Sequence, residues 1–218
     1  MSAWRVAAAD AGLRALAGLA AAEALLALLV NPGGNLPAPL GGAAVTWPLL
    51  SCLAPLGLVG VWRHPMATLE RTSVRGPWPP TLLRLAAAAP LVLAATLAVA
   101  IAAPADSAPV AGDGFAPWRN AALVSGLALA GAAWLPGLIA WLPSAGYVLA
   151  CAAVGVPQYG EPYGWTLVYR SPRDEAALWI GIAVLAAGLV AALMSLRRPR
   201  LAQPNPRSSA SVSTSSWM

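Results

Sequence analysis

One intramembrane carboxylate, two thiols, one imidazole and a cluster of aromatic side chains are the groups in this chain whose positions invite chemistry. Glu23 sits in the middle of the apolar run Ala11–Val30. A carboxylate at that depth costs roughly 2.5–3.5 kcal/mol on insertion scales, so it faces a bundle interior and has a partner or a task. Two readings stay open: a functional group on a transport path, or a protonated or hydrogen-bonded glutamate on a helix interface. A proton relay on Glu23 alone lacks a second acid within any apolar segment. Cys52 and Cys151 each lie inside an apolar segment, where a thiol behaves as a small hydrophobe, and the chain has no disulfide framework. His64, next to Arg63 at the edge of an apolar segment, has neither the nucleophile nor the acid that a hydrolytic triad requires.

The missing residue types narrow the function further. All 13 basic residues are Arg. Without lysine there is no Walker A lysine, no Schiff base and no lysine general base, so the chain cannot be a self-contained P-loop ATPase. One histidine and two cysteines cannot build a His/Cys metal cage. Gly41-Gly42 and Gly112-Asp113-Gly114 are isolated turn signals without the strand-turn-helix setting of a phosphate cradle. No catalytic residue, metal site or cofactor is therefore expected, the chain is not expected to be an enzyme, and nothing points to nucleic acid.

These groups must be carried by membrane-spanning helices. At 59% hydrophobic, 10% charged and a mean hydropathy of +0.67, the 218 residues are far too apolar for a soluble domain, where about 25% charge is usual. A hydrocarbon core of roughly 30 Å needs about 20 helical residues. Six candidate spans follow: Ala11–Val30, which is a retained span and not a cleaved signal; Ala43–Trp62; Leu85–Ala103; Asn120–Leu135; a short fifth from about Ser144 to Val156; and Ala176–Leu196. The fourth and fifth are separated on physical grounds. Asn120 to Gly160 contains no Asp, Glu, Arg or Lys, and as one helix it would be about twice as long as the bilayer is thick. The chain must fold back, best between Pro136-Gly137 and Pro143.

Direction follows from the arginines, which accumulate in cytoplasmic loops. Placing both termini inside puts Arg5, Arg14, Arg63, Arg71, Arg75, Arg84, Arg197, Arg198, Arg200 and Arg207 in the cytoplasm and only Arg119, Arg170 and Arg173 outside. The expected architecture is an all-α polytopic membrane protein of the plasma membrane. Residues 1–200 form a single six-span domain with both termini cytoplasmic. The Ser/Pro/Asn-rich tail 201–218 cannot bury a core and is expected to be disordered.

Two segments outside the spans carry more than packing. The cytoplasmic stretch from Arg63 to Arg84 has room for a short surface helix from Pro65 to about Ser73, stopped by Gly76-Pro77, with Leu69, Glu70 and Arg71 on it and Arg75 beyond. Its arginines either meet anionic lipid headgroups, at about 1 kcal/mol each, or dock a cytoplasmic partner. The outer stretch from Pro157 to Glu175 gathers Tyr159, Tyr163, Trp165 and Tyr169 directly after a span too short to cross. A re-entrant element capping a cavity would reconcile the two facts; an interfacial aromatic belt would explain the aromatics alone. Within the spans, Gly126, Ala130 and Ala133 are expected to let helices approach closely.

The layout resembles the membrane domain of the type-two ATP-binding-cassette exporter family. The likeness rests on six spans with both ends inside, the charged stretch MATLERTSVRGPWPPTLLRL between the second and third, and a short fifth span before a re-entrant outer segment. The Arg119-Asn120 start of the fourth span, the WTLVYRSPRDEAALW stretch and the Ala/Leu/Arg bias are similar to those of small permease-like proteins of actinobacteria. The resemblance implies a dimer of such domains, or a mixed pair with a sister subunit, each resting on a separate ATPase subunit. Leu69, Glu70, Arg71 and Arg75 would then be the ATPase-coupling element, and Glu23, Tyr159, Tyr163, Trp165 and Tyr169 the outer gate or substrate path. The chain departs from that pattern in its small size, in lacking a large extracellular domain and in a first span with little of an amphipathic amino-terminal helix. Two other functions fit six short spans: the small-molecule-binding component of an uptake system, and a non-transport partner or immunity protein.

Overall fold

The computed structural model describes residues 11–30, 49–62, 78–102, 115–155, 163–171 and 173–197. Its elements in chain order are α1 (Ala11–Val30), α2 (Leu53–Leu56), α3 (Leu58–Trp62), α4 (Trp78–Ala102), α5 (Ala116–Trp134), a 3-10 turn (Gly137–Trp141), α6 (Leu142–Val154), a second 3-10 turn (Leu167–Tyr169) and α7 (Glu175–Arg197). No strand occurs among the described residues.

Helix ends follow from local chemistry. Ala and Leu, the best helix formers, fill α1, which has the expected bounds. Helix α4 starts at Trp78, seven residues before the expected Leu85, because Pro79 and Pro80 fall in its first turn, where a missing N–H costs nothing. Part of the expected cytoplasmic stretch, including Arg84, is therefore helical. Helix α5 ends where Pro136 forces Leu135 into an extended conformation (φ −95°, ψ 139°). The fold-back then takes one 3-10 turn, and Pro143 enters the first turn of α6. At 13 residues α6 is about 20 Å long, shorter than a bilayer core. Asp174 caps α7 by accepting the Ala177 N–H at 3.0 Å.

The second span departs from the expected single helix. Its described part begins helical at Leu49-Leu50, breaks in a turn at Ser51-Cys52, and continues as α2 and α3 with Gly57 between them. Pro55 is the cause: it has no N–H to give and its ring opposes the carbonyl four residues earlier, so the helix restarts at Leu53.

Packing fixes the relative directions. Ala20 lies with Ala95 in one cluster and Ala27 with Val99 and Ala102 in another, so α1 and α4 run parallel. Gly12 abuts Gly60, and Leu16 abuts Gly57, so the α2–α3 segment runs antiparallel to α1. Helices α5 and α7 are parallel and in backbone contact: Gly181 faces Arg119, and Gly188 faces Gly126. Gly126 thus performs the close approach expected of it. The largest cluster joins Leu13 and Leu16 of α1, Ala88 of α4, Leu129 and Ala132 of α5 and Ala192 of α7, so the starts of α1 and α4 meet the ends of α5 and α7.

Helix α5 is the hub, buried from Ala116 to Ala132 on most faces. Three windows, Gly12–Leu29, Leu82–Ala102 and Glu175–Leu196, are long and apolar enough to cross a membrane. Their outer faces leave Leu28, Leu29, Ile101, Trp179, Val190 and Met194 exposed, a distribution suited to lipid. Exposed tryptophans gather at both ends: Trp118, Trp165 and Trp179 at one, Trp134 and Trp141 at the other. The chain is an all-α, multi-pass membrane protein, located in the cell membrane.

Candidate functional site

The break in the second span explains where Glu23 goes. Restarting a helix at Leu53 leaves its first N–H groups without intrahelical partners. Glu23, fully buried on α1, reaches across and accepts the Ala54 N–H with Oε2 at 2.6 Å. The carboxylate therefore caps a helix to which it is joined only through space, 31 residues away. Its Oε1 is buried and receives no hydrogen bond. One oxygen is structural, and the other retains its capacity to accept.

Just before Ala54, the buried Cys52 packs with Leu123 and Val124 of α5, Cys151 of α6, and Val168 and Tyr169 of the outer segment. Neither thiol is in a disulfide. The Tyr169 hydroxyl is buried without a hydrogen-bond partner, and burial, with the two cysteines nearby, raises its phenol above the ordinary range.

The outer segment is held down on its own carbonyls. Arg119, 1% exposed at the start of α5, donates Nη1–H to Ser171 O at 3.0 Å and Nη2–H to both Val168 O and Arg170 O at 3.1 Å. Its Nε–H goes to Asn120 Oδ1 at 3.2 Å, and Asn120 Nδ2 donates to Val168 O at 3.3 Å. A planar five-donor fork suits such a convergence of acceptors, and an ammonium would not reproduce it. Tyr147 of α6 adds two bonds: its hydroxyl donates to Trp165 O at 3.2 Å and accepts the Leu167 N–H at 3.0 Å. Thr166, fully buried, donates to Tyr163 O at 2.7 Å and lies 3.2 Å from Gly155 O. The segment thus tucks into the bundle with its backbone polar groups satisfied, the condition under which irregular chain is tolerated at depth.

The expected site residues separate into three groups. Tyr169 turns inward, whereas Tyr163 and Trp165 are exposed and stack on each other at 6.4 Å with planes 9° apart. Glu23 lies deeper, behind Cys52, and does not share a surface with the exposed pair. Leu69, Glu70, Arg71, Arg75 and Tyr159 lie outside the described residues, as do His64 and the tail. Arg119, Asn120, Tyr147 and Thr166 were not among the expected site residues. The signal for the first two was an Arg-Asn pair opening a stretch otherwise free of ionised groups.

A separate crevice of about 280 Å³ lies between α4 and α5, bordered by Leu85, Val92, Leu93, Trp118, Ala122 and Leu185. Thr96 lines it too, but spends its hydroxyl on Val92 O at 2.8 Å. The crevice can select by shape but offers little to orient a polar ligand. Comparison with known protein families, curated proteins and solved structures finds no match, so the function is argued from this chain's own residues.

Proposed function

We propose that the chain is the permease subunit of an ATP-driven transporter, an exporter, paired with a second copy or a sister subunit and energised by a separate ATPase. The observation that carries the transport reading is the discontinuous second span with the Glu23 carboxylate at its break. Transporters build their polar sites at such half-helix ends near the membrane midplane, because irregular backbone and a buried charge persist there only with partners. The absence of lysine leaves no Walker A site on this chain, so the ATPase is proposed as a separate subunit, and the layout's resemblance to the exporter family names the kind of partner. The arginine distribution supports cytoplasmic termini, with anionic lipid at the inner surface. Leu69, Glu70, Arg71 and Arg75 are proposed to press on the ATPase. Its closure on ATP would move the spans between two packed arrangements.

Extraction of the tagged chain from its native membrane in mild detergent, followed by mass spectrometry, should recover a P-loop ATPase at one copy per chain. Recovery without any ATPase would remove the reading; a retained small molecule would then favour a binding component of an uptake system. With the ATPase present, replacing Glu70 and Arg71 by Ala should leave insertion intact and separate ATP hydrolysis from transport. Normal coupling in that double variant would withdraw the docking assignment.

A further inference from the structure

We propose that Arg119 is the positioning residue that latches residues 163–171 over an interior path running from Tyr169, past Cys151 and Cys52, to Glu23. Naming this route a path rests on the transport reading above; the latch itself stands on geometry. Arg119 sends three of its hydrogen bonds to carbonyls within four residues of the outer segment, and Asn120 sends a fourth bond to Val168 O, which Arg119 also contacts. All four come from the rigid hub α5, and Tyr147 of α6 adds the two described above, so Arg119 and its neighbour supply the largest share of what holds the segment. Beneath it, Val168 and Tyr169 cover Cys151, and Cys151 shares their cluster with Cys52. Two residues beyond Cys52, the Ala54 N–H meets Glu23. Among the described residues the interior therefore holds two buried side-chain polar atoms without hydrogen bonds, the Tyr169 hydroxyl under the segment and Glu23 Oε1 at the far end.

Such orphaned groups are rare in a packed interior and call for an explanation. A compartment opened when the segment lifts supplies one. The bonds that Arg119 and Asn120 make to the segment run to backbone carbonyls, which water can satisfy as soon as they are exposed, so lifting exchanges partners without stranding those acceptors. The side chains beneath are Cys52, Cys151 and the ring of Tyr169, with Leu123 and Val124 of α5 beside them.

Cys151 reports on the latch, being in no disulfide and 1% exposed under Val168 and Tyr169. The full chain carrying Cys52→Ser, in proteoliposomes, is treated with a membrane-impermeant maleimide, and the rate of modification of Cys151 is followed by mass spectrometry. With Arg119 in place the thiol should resist. Arg119→Ala should label on the order of tenfold faster or more, since several charge-assisted bonds are lost together, and Arg119→Lys, with one donor centre, should fall between. Tyr147→Phe removes two of the segment's bonds and the Tyr147 contact with the Cys151 thiol while leaving Arg119's own hydrogen bonds in place, and should accelerate labelling by a smaller factor. Each variant must elute as the same monodisperse peak as the parent. If folded Arg119→Ala labels at the parental rate, the latch is wrong. If Arg119→Ala does not fold, Tyr147→Phe decides: acceleration supports the latch, and a parental rate overturns it. Because no ATPase is present, a failed partner search and a failed latch remain distinguishable.

Discussion

Gly188→Leu is expected to destabilise the folded bundle severely. A Cβ at position 188 would overlap the carbonyl of Gly126, and one at position 126 would overlap the carbonyl of Val184. Both obstacles are backbone of a neighbouring helix, so no side-chain rotation relieves them. Overpacking commonly costs about 1–3 kcal/mol, and forcing two helices apart along their whole contact should reach the upper part of that range or exceed it. Against a typical stability of about 5–15 kcal/mol, that is a large fraction. The expected result is loss of the monodisperse peak and a fall in thermal stability for Gly188→Leu and Gly126→Leu alike. Gly18→Ala and Gly146→Ala form the control, because nothing lies within 4 Å of a Cβ at either position; they should be tolerated or gain up to about 1 kcal/mol from helix propensity. A folded Gly188→Leu of parental stability would contradict the α5–α7 contact.

The second large effect divides the two oxygens of Glu23. Glu23→Leu removes the acceptor for the Ala54 N–H and leaves it buried and unpaired, which should cost about 1–3 kcal/mol. Some of that is offset, since a leucine suits the apolar surroundings better than a carboxylate. Glu23→Gln keeps a carbonyl oxygen for the cap and replaces the unbonded oxygen with an uncharged amide NH2, which donates where the carboxylate could accept. It should assemble like the parent and change transport. Thermal melts read the first expectation and reconstituted flux the second. If Gln and Leu are equally stable, the cap is not what holds α2; if flux through the Gln variant is unchanged, the carboxylate is structural.

The division between what was legible in the chain and what was not follows the range of the forces involved. Helix α1, the fold-back after Pro136, the shortness of α6 and the course of α7 come from hydropathy and proline, both local. Pro55 was equally visible, yet hydropathy averaged over a 20-residue window passes across it, and the broken second span was read as whole. The early start of α4 is hidden the same way, because Pro79-Pro80 precede the apolar window and yet open the helix. Long-range partners lay beyond reach. Glu23 was marked as unusual, but nothing in the order of residues says that its partner is the Ala54 N–H. Arg119 was counted as one charge among 13, and its value as a fork of donors depends on carbonyls about 50 residues downstream.

The two sets of exposed tryptophans carry a consequence for the surrounding lipid. Indole rings settle at the headgroup level, and Trp118 and Trp134 stand sixteen residues apart on the single helix α5, a separation of about 24 Å. That falls several ångströms short of a hydrocarbon core of about 30 Å, and any tilt of α5 shortens it further. A bilayer that met both indoles at headgroup level would thin beside α5, at a fraction of a kcal/mol for each ångström of mismatch. Two such bundles side by side share one dimple instead of maintaining two. The membrane itself would draw copies together, before any side chain of one touches the other.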